Sequence, residues 1–175
     1  MNLSTRALAA LGALVVIGAG TVGGSIAYAN SEGAPPNPKQ QATLTVGNSS
    51  VRTQPLCYNG GKALAQDVLA KCQADAKAAS QKGTLAHLDV VSSDRVGVGV
   101  STEIADKGWF AFTDGGSQGQ TPLAQDTRKA TWSGSVLASG VLNSSGTTTV
   151  TVVEADQAKQ EILGIWYFQM NSKDK

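Results

Sequence analysis

The sequence predicts an immunoglobulin-like antiparallel β-sandwich with one helical insert, preceded by an N-terminal export or anchor helix. Three observations carry this expectation. Short runs of apolar and β-branched residues alternate with period two between residues 42 and 170, separated by Gly-, Asn- and Ser-rich turns. One alanine-rich run, residues 62–79, departs from that period and repeats its apolar residues every four positions. Residues 7–29 contain no charged side chain.

The N-terminal run follows Arg6 and closes on Ala27-Tyr28-Ala29 before the polar Asn30-Ser31-Glu32. A basic start, an apolar middle and small residues beside a cleavable bond are what the secretory machinery and its peptidase read. Two outcomes follow. Cleavage after Ala29, with Ala27 and Ala29 as the small recognition residues, makes Asn30 the first mature residue. Retention is the alternative, since 23 uncharged residues match the ~20 needed to span a bilayer. A retained helix keeps Arg6 cytoplasmic and the domain outside, by the positive-inside bias. Residues 1–29 are therefore a signal peptide or membrane anchor, residues 30–41 a linker with Pro35, Pro36 and Pro38, and residues 42–175 one domain.

Along that domain, residues 42–46 place Ala42, Leu44 and Val46 on one strand face, and Gly47-Asn48 turns the chain into a second strand over residues 51–58. The helix of residues 62–79 carries Leu64, Val68, Cys72 and Ala76 on its apolar stripe and stops at Gly83. Ala86, Leu88 and Val90 alternate, as do Val96, Val98 and Val100, and the turn between them predicts a hairpin. A helical turn at residues 102–107 ends at Gly108 and leads into a strand starting at Trp109. Residues 114–129 have no sustained period and predict a long loop, with a helical turn near Thr121-Pro122. Strands are expected at residues 132–136, 138–142, 147–154 and 162–170. The last places Trp166, Phe168 and Met170 on one face and Ile165 and Tyr167 on the other.

Cys57 and Cys72 are the only cysteines. In an oxidising compartment an even pair reads as a disulfide, here joining the end of the second strand to the helix. Their spacing fits neither a Cys-x-x-Cys redox motif nor a zinc site.

Chemistry-bearing residues are scarce. His87 is the single histidine, with Asp89 on the same strand face, and Ser117 sits in Gly115-Gly116-Ser117-Gln118-Gly119. A nucleophile elbow needs a strand before it, a helix after it and a later histidine, and this segment promises none of them. One histidine cannot build a cupredoxin-type copper site, and the acidic residues form no calcium-loop pattern. No metal or cofactor is expected. A formal charge of +1 without a basic cluster argues against nucleic acid as a partner. Trp109 and Trp166 are expected to fill the core, whereas Trp132, between Thr131 and Ser133, is the candidate for exposure.

Several segments carry a family resemblance. The opening Cys57-Tyr58-Asn59-Gly60-Gly61-Lys62, the second cysteine Cys72, the run from Val96 to Trp109 and the closing Gly164-Ile165-Trp166 together resemble a family of small exported actinobacterial envelope proteins of unknown function, many of them lipoproteins. The resemblance covers residues 42–170 and implies an envelope location. It brings no catalytic residues, and this chain has no cysteine at the apolar run to carry a lipid.

The expected role is a non-enzymatic envelope module that binds a protein or wall component. Gln118, Gln120, Arg128 and Trp132 of the long loop and its exit are the candidate contacts. The alternative is a small-ligand binding protein with a cleft between helix and sheet. A third class, an exported hydrolase, would have to use Ser117 and His87.

Overall fold

The computed structural model describes residues 40–116, 119–156 and 158–174. The expected signal or anchor segment with its Ala27, Ala29 and Asn30, most of the proline-rich linker, Ser117 and Gln118 lie outside the described residues. The strands are β1 (Ala42–Val46), β2 (Ser49–Thr53), β3 (Cys57–Tyr58), β4 (Ala86–Val90), β5 (Arg95–Val100), β6 (Trp109–Thr113), β7 (Thr121–Thr127), β8 (Trp132–Leu137), β9 (Thr147–Asp156) and β10 (Glu161–Ser172). Two helices join them, α1 (Gln66–Gln81) and α2 (Thr102–Lys107).

The strands form two sheets, so the domain is mainly β and built as a sandwich. One sheet runs β2-β1-β5-β8, and the other runs β3-β10-β9-β6-β7 with β4 also along β10. Pairing is antiparallel throughout except between β4 and β10. Period-two alternation explains the core between the sheets. Leu44, Val46, Val96 and Val98 point inward from the first sheet and meet Val150, Val152, Trp166 and Phe168 of the second. Trp109 and Trp166 are fully buried, and each indole N–H finds a backbone carbonyl, Ala130 O at 2.8 Å and Gln40 O at 3.3 Å. Burying a side chain such as Phe168 contributes about 1.5–3 kcal/mol.

β10 is buried on both faces because α1 covers the far side of its sheet. Leu69 and Cys72 of α1 pack with Leu64, Val153 and Ile165, bordered by Phe110, Phe112 and Tyr167. The disulfide Cys57–Cys72, with Cα atoms 6.0 Å apart, ties α1 to β3. At the other end of the helix, Ser80 Oγ donates to Gln169 Oε1 at 3.0 Å. The helix stops where expected: Gly83 takes a φ of 65° that favours glycine.

Several expectations are corrected. The strand expected over residues 51–58 is two strands in different sheets, because Pro55 lacks the N–H a continuous strand would donate. α1 begins later than predicted since Leu64 N donates to Ile162 O and is held in the sheet layer. Its buried stripe is Leu69, Cys72 and Ala76, leaving Val68 exposed. β4 and β5 are no hairpin: β4 runs parallel to β10, and β5 lies between β1 and β8. Alternation reveals a strand but not its partner. Residues 138–140 form a 3-10 turn instead of a strand.

The largest correction concerns residues 114–129. Seven of them form β7, paired with β6 at the sheet edge, where the missing N–H of Pro122 is tolerated. Register shifts between β6 and β7 break the period, so that adjacent Leu123 and Ala124 are both buried. That break hid the strand in the sequence.

Candidate functional site

The outer face of the four-stranded sheet presents the most distinctive surface among the described residues. Inward positions of β1 and β5 are apolar, and their alternates point out. Register places Arg52 of β2, Thr43 of β1, Gly99 of β5 and Trp132 of β8 in one row across the sheet. A second row holds Ser50, Thr45, Gly97 and Ser135. Thr45 Oγ1 donates to Gly97 O at 3.1 Å.

Trp132 is 45% exposed, and its indole runs along β5 over both glycines. A Cβ on Gly97 would stand 2.5 Å from Cη2 and Cζ2 of the ring and 2.6 Å from Gly134 O. Only glycine admits so close an approach. At Gly99 a Cβ would stand 3.5 Å from Trp132 Cε3, an ordinary contact. The six-membered ring of the indole is thus bedded on backbone while the side chain keeps much of its surface in solvent. The same sheet face carries Arg95, whose Nε and Nη2 donate to Ser135 Oγ at 2.9 Å and Ser135 O at 2.7 Å. Beside it Leu137 is 51% exposed.

Two other predicted contacts, Gln120 and Arg128, flank β7, and Gln118 lies outside the described residues. Gln120 is half-buried immediately before β7. Arg128 is exposed, and its Nε donates to Asp106 O at 3.4 Å, seating it against α2. The segment that follows is pinned by Lys129 N to Ala105 O and by Thr131 O to Val100 N, and it delivers the chain from β7 to β8. Arg128 is thus seated against α2, and Trp132 on β5.

His87 is exposed on β4, with Nδ1 3.1 Å from Leu85 O. Asp89 pairs with Lys173 at 3.3 Å rather than with His87. Among the described residues no group of three or more His, Cys, Asp or Glu side chains gathers to hold a metal, and no helix is long and apolar enough to cross a membrane. Between α1 and its sheet packs the apolar cluster around Cys72 and Ile165.

Sequence reasoning passed over Glu154. It alternates with Val150 and Val152 on β9, so parity aims it inward, where it is 2% exposed. Gly164 of β10 and Trp109 of β6 lie opposite it, and Tyr58 lies opposite Gly164. Its Oε2 has no hydrogen-bond partner among the described residues. Burial pushes the carboxyl up to about 7, with the Lys107 ammonium pulling partly the other way. The Tyr58 phenol is raised by burial and then by the neighbouring Glu154. Glu154 is a neutral acid in the core below about pH 7, closed off from any substrate.

No family model matches this sequence, and neither a curated protein nor a solved structure proves similar to it.

Proposed function

We propose that this chain is a non-enzymatic module of the cell envelope, exported by residues 1–29 and binding a protein or wall component through the surface around Trp132. One observation carries the reading: a large aromatic side chain is held on a glycine bed with much of its surface in water. Water-exposed indoles are uncommon where a core could take them, and aromatic residues dominate binding hot spots. The Cys57–Cys72 disulfide supports an oxidising, extracytoplasmic compartment. The immunoglobulin-like reading rests on the two packed sheets, with α1 as an elaboration on one of them. The apolar packing behind α1 favours a surface module over a small-ligand protein with a cleft between helix and sheet. Gln120 and Arg128 belong to a neighbouring surface and are secondary contacts in this reading.

The test expresses the full chain in a bacterial host and fractionates it. Mature protein is expected outside the cytoplasmic membrane, beginning at Asn30 or keeping its N-terminal helix. Wild-type protein should be retained by isolated envelope material, and Trp132→Ala should lose that retention while keeping its urea midpoint. Unprocessed soluble protein in the cytoplasm, or equal retention of the variant, would sink the reading.

A further inference from the structure

We infer that the surface around Trp132 binds an acidic polysaccharide, with a sugar ring stacked on the outer face of the indole and an anionic group of the same strand held by Arg52. The inference rests on the proposed function and names the ligand class.

Shape comes first. Because the six-membered ring of the indole rests on Gly97 and Gly99, stacking can use only ring surface left to solvent, and a planar platform fixed on a rigid sheet loses little entropy on binding. Its surroundings are hydroxyls and bare backbone: Thr43, Thr45, Ser50 and Ser135 occupy the outward positions nearby. A protein interface of ordinary stability buries about 800 Å² per partner around an apolar centre. Here the large apolar side chains on the face are one ring and Leu137, the rest being small polar groups and two arginines, which suits a narrow polar ligand with an apolar ring face.

Charge selects among such ligands. Arg52 and Arg95 point outward from this sheet, and none of its outward register positions carries an acid. Arg52 is exposed and shares the row of Thr43 and Gly99. Two strand spacings, about 10 Å, separate Arg52 from the strand beneath the ring. A strand-like ligand lying across the sheet meets the indole and the guanidinium together, and a guanidinium grips carboxylate or phosphate with two parallel hydrogen bonds. A nucleic acid strand also offers stacking rings and phosphates. It is disfavoured by the chain's formal charge of +1 and by the disulfide, which suits an extracellular glycan.

The experiment titrates the full chain with polygalacturonate, with dextran as the uncharged polysaccharide and with a thymidine oligonucleotide, following tryptophan fluorescence and affinity electrophoresis. Trp109 and Trp166 are buried, so a ligand-induced emission change reports on Trp132. Saturable binding of polygalacturonate is expected, stronger than that of dextran. Trp132→Ala should weaken it roughly tenfold or more. Arg52→Glu, whose site is remote from the core, should weaken it roughly tenfold at low salt, with a smaller difference at high salt. Absence of polygalacturonate binding, unchanged binding by both Trp132→Ala and Arg52→Glu, or a preference for the oligonucleotide overturns the inference. If envelope retention depends on Trp132 while polygalacturonate is not bound, the ligand class is wrong and the binding module stands. If retention ignores Trp132, the module reading fails as well.

Discussion

Glu154 and Trp132 are two side chains whose placement runs against their chemistry, an acid inside and an indole outside. Period-two counting along β9 puts Glu154 in register with Val150 and Val152, so its inward aim was readable from spacing. Its isolation was not, because that depends on Gly164, Trp109 and Tyr58 arriving from three other strands. The consequence is a pH-dependent stability. Folded Glu154 keeps its proton to about pH 7, whereas an unfolded glutamate releases it near 4.5. Between those values the folded state binds more protons, so the unfolding free energy falls as pH rises through the window. At about 1.36 kcal/mol per pH unit the loss is roughly 3 kcal/mol. Urea unfolding of wild type at pH 5 and pH 8 should show that drop, and Glu154→Gln should abolish most of it and be the more stable protein at pH 8. A variant with an undiminished drop would place the titration at another group.

α1 is held by few attachments. Its apolar stripe against Val153 and Ile165, the Ser80–Gln169 hydrogen bond and the disulfide to β3 do most of the holding. The core between the sheets is a separate cluster that does not include α1. Closing a loop of sequence separation 15 stabilises by ~3 kcal/mol in the chain-entropy account. Replacing Cys57 and Cys72 together by alanine should therefore cost about that much, and should first expose the amides of α1 to hydrogen exchange. Equal loss of protection in β1 and β5 would mean that the helix and sandwich unfold as one unit. The pairing of the two cysteines was legible from their number and expected compartment; that α1 backs β10 on its second face was not. β10 does carry a hint of it, since Ile165 and Tyr167 make part of its second face apolar as well.

The sandwich is closed along one side by β7, which pairs with β6 and brings Leu123 and Ala124 into the core. Residues 115–125 belong to the stretch expected to be a long loop, and β7 reverses that expectation. Replacing them with a short Gly-Ser linker should remove most of an edge strand and two buried side chains. A Leu→Ala truncation alone costs about 2–5 kcal/mol in a core, so the thermal midpoint should fall by roughly 10 °C or more. Differential scanning calorimetry checks this, and an unchanged midpoint would show that β7 contributes nothing to closure. Loss of partner capture in that variant would report unfolding, so binding is better dissected at Trp132, which lies on the opposite sheet.

Local chemistry set the elements wherever one period ran unbroken: β1, β5, β9, β10 and α1 follow from alternation or four-residue spacing, and α2 from the Gly108 stop. Trp109 and Trp166 were expected inside because few aromatic residues are on hand to fill a core, and Trp132 outside because Thr131 and Ser133 flank it. Partnership between strands was decided by the assembled fold. A strand's side chains record which face is buried, while the ladder partner is chosen among backbone groups that are alike in every strand. Hence β4 could join β10 in parallel, β3 could leave β2 for the other sheet, and β7 could hide behind bulges. The bed beneath Trp132 has the same origin: Gly97 and Gly99 mark a place where something approaches closely, and only the pairing of β8 with β5 determines that the approaching group is the indole.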